Sequence, residues 1–150
     1  MPDYEYPRPA LTVDVALLAG PAHAPLILLI ERGAEPYRGM RALPGGFVDE
    51  GERPQDAARR ELAEETGVEW NGPHVQAGAF ADPGRDPRGW TAAIAWVAYA
   101  GIDPLPVRAG DDAADAAWVP IGEIGDLAFD HNEIVTAAVE FARLRGLLGR

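Results

Sequence analysis

Three glutamates carry the most chemical content in this sequence: Glu61, Glu64 and Glu65 stand at i, i+3 and i+4 in the run Arg60-Glu61-Leu62-Ala63-Glu64-Glu65. On a helix they fall inside an arc of about 100°. Like charges so close repel, and the arrangement gains a purpose when a hard cation neutralises them, because carboxylate oxygens are the ligands Mg²⁺ and similar ions prefer. Ala57 shares the arc, and Ala58 and Leu62 flank it. The acidic patch should therefore lie at the margin of a buried face, where partial desolvation strengthens its pull on a cation. Arg60 is placed to pair with Glu52 or Glu64. The plainer reading is a solvated acidic face with surface Glu–Arg pairs. It leaves unexplained the glycine turn before the helix, Glu52 at its start and Gly67 at its exit.

Composition removes most other catalytic chemistries. The 150 residues include no Cys, Ser or Lys, so all 13 basic residues are Arg. That excludes Ser and Cys nucleophiles, lysine Schiff bases, the P-loop lysine, disulfides and thiolate zinc sites. Thr12, Thr66, Thr91 and Thr136 are the remaining aliphatic hydroxyls, and His23, His74 and His131 are too widely spaced for a histidine metal motif. A net charge of -11 should repel polyanions, which disfavours a nucleic-acid partner. A compact diphosphate can still be held where divalent cations and a few arginines neutralise it locally.

Length and an ordinary globular composition, 47% hydrophobic and 25% charged, fit one domain over residues 1–150. The longest apolar stretch, around Leu26 to Ile30, is too short to span a bilayer, and the opening MPDYEYPRP lacks the basic and apolar regions of a signal peptide. The expectation is a cytoplasmic chain with no membrane partner.

The elements that must position the glutamates follow from pattern. Leu11 to Leu18 and Pro25 to Glu31 are apolar runs bounded by Gly and Pro, which predicts buried strands. Further strands are expected at Val75 to Phe80, Thr91 to Ala100 and Ala116 to Val119. Gly33 to Met40 and Asp103 to Asp115 read as loops. Pro54, Asp56 and Gly67 bound the acidic helix. A second helix starts near Asp130, with Asp130 and Glu133 at capping-box spacing and Phe129 and Ile134 at staple spacing. Its apolar face is Ile134, Val135, Ala138, Phe141, Ala142 and Leu144. These elements predict an α/β or α+β domain layered helix, sheet, helix.

The stretch Gly46 to Val68 resembles the Nudix box, G-x5-E-x7-R-E-U-x-E-E-x-G-U with U aliphatic. Gly46, Glu52, Arg60, Glu61, Leu62, Glu64, Glu65, Gly67 and Val68 all match. The resemblance implies the Nudix α/β/α sandwich, with a mixed sheet between helices, and a hydrolase that cleaves a diphosphate anhydride with Mg²⁺ or Mn²⁺. It makes Glu61 and Glu65 the main metal ligands, and Glu64 a group that bridges metals or orients a water. Gly45 would supply a backbone carbonyl to the site, and Arg60 and Glu52 would position the ligating carboxylates. The general base is left open among Glu64, Asp111, Asp112 and Asp115.

After the box, Asp82-Pro83-Gly84-Arg85-Asp86-Pro87-Arg88-Gly89 is similar to a loop of the ADP-ribose pyrophosphatase branch. Pro83, fifteen positions beyond Val68, resembles a proline of that branch. The implied substrate is a nucleotide, with ADP-ribose giving AMP and ribose 5-phosphate as the first choice. Arg85 and Arg88 are candidates for the phosphates or ribose, because guanidinium suits bidentate contact with such groups. Phe80 and Trp90, then Tyr37 and Phe129, are candidates for the adenine slot, although such an aromatic is more often part of the core than a base platform. His131 reads as a helix-start residue. Two other readings are a nucleoside triphosphate pyrophosphohydrolase and a non-catalytic ADP-ribose sensing domain. Intact box glutamates, and no winged helix or basic stripe before Arg150, weigh against the sensor. A homodimer is compatible with the resemblance, but no patch in the sequence decides it.

Overall fold

The computed structural model describes residues 3–110 and 113–148. Its two long apolar strands are Ala10–Ala19 (β1) and Leu26–Arg32 (β2), followed by the short strands Arg41–Ala42 (β3) and Gly45–Phe47 (β4). Pro54–Thr66 is the first helix (α1). Val75–Phe80 (β5), Thr91–Tyr99 (β6), Ala113–Pro120 (β7), a single 3-10 turn at Ile121–Glu123 and the second helix His131–Leu144 (α2) complete the order. The sheet is mixed: β1 runs parallel to β6 over nine residue pairs, from Ala10–Thr91 to Leu18–Tyr99, and the other pairings are antiparallel.

The two central strands separate where the chemistry sits. β1 and β2 pair at Leu18–Ile27 and Ala19–Leu26 and then part. Residues 41–47 fill the resulting gap, β3 pairing with β2 and β4 with β1. Alternation along β1 assigns the faces. Val13, Val15 and Leu17 pack with Ala57, Ala58 and Leu62 of α1, whereas Ala16 and Leu18 pack with Ile134, Val135, Ala138 and Ala142 of α2. Each fully buried Leu or Ile contributes about 1.5–3 kcal/mol, so both helices are held by burial rather than by capping. Among the described residues, no helix is long and apolar enough to cross a membrane.

Several local expectations need correction. Short strands at 41–42 and 45–47 had no signature of their own, because two- and three-residue strands carry no period to read. β7 starts at Ala113, inside the stretch expected to be loop, since pairing with β2 extends it. No capping box forms at α2: Asp130 occupies the N-cap position without a side-chain cap bond, because both its oxygens accept hydrogen bonds from Arg85. No Phe129–Ile134 staple forms either, as Phe129 meets Tyr37 and packs against the Ile30, Ala42 and Ala128 cluster while Ile134 lies in the α2-side core. Leu144 is exposed rather than part of the apolar face. For α1 the expectations hold: Pro54 opens it and Gly67, at φ +74°, closes it with its N–H on the Ala63 carbonyl.

Candidate active site

The crossover Leu43-Pro44 from β3 to β4 brings two glycines against α1. The Gly45 N–H donates to Glu65 Oε1 at 2.8 Å. The structure thus shows this residue's amide engaged, where the resemblance assigned a role to its carbonyl. A Cβ at Gly46 would fall 2.6 Å from Glu61 Oε1, so glycine there leaves the Glu61 carboxylate in its place and any side chain would push it aside.

Arg60 is the hub of the cluster. Its Nε donates to Glu52 Oε2 at 2.7 Å and its Nη2 to Glu52 Oε1 at 3.0 Å, a two-pronged pair. Nη1 donates to Glu61 Oε1 at 2.8 Å and Glu64 Oε2 at 3.1 Å, and Nη2 also reaches the Phe47 carbonyl at 3.0 Å. Both pairings the sequence allowed, with Glu52 and Glu64, are made. Bonding to Glu52 first, then to Glu61, raises the Arg60 pKa against the opposing effect of burial, and the same pair holds Glu52 below the ordinary carboxylate range.

Of the three helix glutamates, Glu61 and Glu65 lie side chain to side chain, and Glu64 stands apart from Glu65. Glu61 and Glu64 turn to Arg60, the nearest positive group, whereas Glu65 turns to Gly45 on the floor of the cleft. Among the described residues, no three acidic or imidazole side chains are already gathered as a metal cage. Glu61, Glu64 and Glu65 all line one cleft of about 430 Å³, which Asp14, Asp49 and Asp86 also line, so its wall is rich in the oxygens a hard cation prefers.

Burial raises the Glu61 carboxyl pKa despite the Arg60 bond. It pushes Glu65 up to about 8; the Gly45 amide opposes this, and the charges of Glu61 and Asp14 reinforce it. An all-oxygen set that resists ionisation because it is buried, and because negative charge is crowded there, is chemically suited to a divalent cation.

A pH dependence follows. Glu65 has a higher pKa folded than unfolded, so its contribution to stability is complete below about pH 4.5 and is lost as pH rises through about 8. In chelator, the melting temperature should fall between pH 5 and pH 9, and added Mg²⁺ should oppose that fall at the alkaline end. A thermal melt series checks both.

Asp86, buried, and Arg88, exposed, also line the cleft. Arg88 Nη2 donates to Asp86 Oδ2 at 2.8 Å, and its guanidinium lies 5.0 Å from the Phe47 ring centroid and 5.4 Å from that of Phe129. Burial works to raise the Asp86 carboxyl, but the hydrogen bonds from Arg88 and the charges of Arg88 and Arg85 outweigh it and hold the group low. Arg85 also lines the cleft, yet it is bound to Asp130 through Nε at 2.8 Å and Nη2 at 2.6 Å and to Thr91 Oγ1 at 3.1 Å.

The other aromatic candidates divide. Phe129 and Phe47 line the cleft, and Tyr37 meets Phe129 edge-on at 4.7 Å. Phe80 packs with the α2-side core and Trp90 is exposed at the start of the β6 strand boundary; neither lines the cleft. Asp115 is exposed on β7 and also lies off it, while Asp111 and Asp112 lie outside the described residues. Asp14, Phe47 and the role of His131 were missed. Asp14 did leave a signal, as the single charge inside the apolar run Leu11 to Leu18.

Residues 8–138 match the family described as the NUDIX domain. An ADP-ribose pyrophosphatase of Methanocaldococcus jannaschii is 41% identical over 113 residues, 73% of this chain and 63% of that protein. The ADPR responsive transcriptional repressor NtrR of Acinetobacter baylyi is 34% identical over 145 residues, 93% of this chain and 56% of that protein. The chain thus spans roughly three fifths of the length of these curated relatives. Among solved structures, the NUDIX domain of Shewanella oneidensis NrtR complexed with ADP ribose superposes with a TM-score of 0.82 at 30% identity, covering 93% of this chain and 90% of that one. A bifunctional NMN adenylyltransferase/ADP ribose pyrophosphatase of Francisella tularensis, complexed with AMP and a Mn ion, gives 0.79 at 28% identity, covering 92% and 43%.

Proposed function

The chain belongs to the Nudix family, and on that premise we propose that it is a divalent-metal-dependent hydrolase of a nucleoside diphosphate linked to another moiety, with ADP-ribose cleaved to AMP and ribose 5-phosphate. The observation that carries this reading is the cleft itself, whose lining brings together the α1 carboxylates, Arg88 and the Phe47 and Phe129 rings that Arg88 lies over. The relatives named for ADP-ribose support the choice of substrate.

Glu61, Glu64 and Glu65 are the groups that would hold Mg²⁺ or Mn²⁺. Bound there, the ion would neutralise diphosphate charge and acidify a water, which is the chemistry a chain without Ser or Cys nucleophiles needs. The residues of the chain do the rest. Arg60 holds Glu61 and Glu64 on one side of α1 and is itself anchored by Glu52, so the carboxylates cannot spread apart under their own repulsion. Gly45 fixes the rotamer of Glu65. Arg88 offers a guanidinium in the cleft lining, and the two phenylalanine rings offer apolar faces for a flat base. Glu64, the most exposed of the three, is the carboxylate best placed to take a proton from solvent-derived water.

Arg88→Ala should raise KM for ADP-ribose about tenfold while changing kcat less than about threefold, as expected for a contact made equally in ground and transition states. Steady-state kinetics check it. The substrate is tested by incubating the protein with ADP-ribose and either metal and identifying the products. AMP with ribose 5-phosphate supports the reading, release of pyrophosphate from nucleoside triphosphates favours the pool-cleaning alternative, and tight ADP-ribose binding with no product favours a sensor. The sensor reading draws on the similarity to NtrR. For this chain, with its charge of -11, we retain the proposal of a small-molecule partner and no nucleic acid.

A further inference from the structure

His131 is 4% exposed, lines the cleft and belongs to no pairing assigned above. Its Nδ1 accepts the Leu43 N–H at 3.0 Å across 88 residues of chain. An imidazole nitrogen that accepts an amide proton carries none, so the ring proton is on Nε2, which faces Asp14 Oδ1 at 3.4 Å. With its lone pair committed to Leu43, His131 is not available as a general base. What it does hold is the crossover: Leu43 is bonded to His131, and two residues on, Gly45 is bonded to Glu65.

The turn that presents His131 is itself fixed from three sides. Ala128 N–H donates to the Arg41 carbonyl at 2.9 Å, Arg85 grips Asp130, and Phe129 is held at φ +53°, a backbone region that a bulky residue enters only when its surroundings demand it. We propose that His131 is a positioning residue, through which the start of α2 fixes the Leu43–Gly45 crossover and so the orientation of Glu65 on α1. The proposal rests on the reading of Glu65 as part of a cation-holding hydrolytic site.

The test compares wild type with His131→Phe, which keeps a flat ring without an acceptor, and His131→Asn, whose Oδ1 can take the place of Nδ1. Three measurements are made: amide hydrogen exchange by NMR, Mn²⁺ affinity, and ADP-ribose hydrolysis. With circular dichroism unchanged, His131→Phe should speed exchange at both Leu43 and Gly45 by about tenfold or more. It should weaken Mn²⁺ binding by about tenfold and lower kcat with little change in KM, and His131→Asn should restore most of each loss.

A folded Phe variant with wild-type exchange at Gly45 and wild-type kcat overturns the proposal. So does an Asn variant that protects Leu43 yet loses Mn²⁺ as the Phe variant does. Should the Phe variant not fold, the Asn variant decides alone: protection at Leu43 together with protection at Gly45 supports the coupling, and protection at Leu43 without it refutes it. Wild-type protein that binds no Mn²⁺ and cleaves nothing contradicts the functional reading instead, while the exchange data still decide whether His131 holds Gly45.

Discussion

Glu65→Gln is expected to remove most hydrolysis, by on the order of 10²–10³-fold, while leaving the metal-free protein at least as stable as wild type at pH 8. The two halves of this result have one cause. Glu65 is 8% exposed and its carboxyl is pushed up to about 8 by burial and by the charges of Glu61 and Asp14, so ionising it in the folded state is costly. Glutamine has nearly the same shape, and its side-chain oxygen can still accept the Gly45 N–H, so the fold loses no hydrogen bond. It supplies no negative charge to a cation, however, and the function should fail with the fold intact. Thermal melts in chelator, Mn²⁺ titration and steady-state rates on the same preparation separate the effects. Wild-type turnover in the glutamine variant would remove Glu65 from the metal site.

Arg85→Ala should destabilise by about 3–5 kcal/mol, because it leaves a carboxylate facing a partner that no longer exists in a dry environment. The side chains of Arg85 and Asp130 are 5% and 14% exposed, and the pair is two-pronged. Its loss also frees the turn that carries Phe129 and His131. Denaturant unfolding measures the cost, and Asp130→Ala should show a similar one. The contrast with Arg88 is the informative part: Arg88 is exposed and lines the cleft beside Asp86, so its truncation should appear in KM rather than in stability. An Arg85→Ala protein of unchanged stability and raised KM would return Arg85 to the role of a substrate contact.

How much of this was legible in the sequence depends on the range of each interaction. The three glutamates, Arg60 and Glu52 lie within one helix and the turn before it, so spacing alone brought them together, and the Gly67 stop followed from local backbone chemistry. The apolar runs of β1 and β2, bounded by Gly and Pro, and the apolar face of α2 made the layers legible for the same reason. Contacts across many residues had no such signature. Asp130 looked like a helix cap because its local pattern is a capping box, and it is a salt-bridge partner because Arg85, 45 residues earlier, competes for the same oxygens. Phe80 and Trp90 read as candidates for a flat ligand and Phe47 did not, and only the path of the sheet puts Phe80 in the core and Phe47 at the cleft. Asp14 was the exception: a lone charge in an apolar strand is a readable anomaly, since a buried carboxylate without a purpose is costly.

The most direct measurement is anomalous diffraction at the manganese edge from crystals grown or soaked with Mn²⁺. The account requires a peak in the cleft within coordination distance, about 2.0–2.6 Å, of oxygens from Glu61 and Glu65. No peak there, in crystals shown by absorption to contain manganese, would contradict the claim that these carboxylates form a metal site.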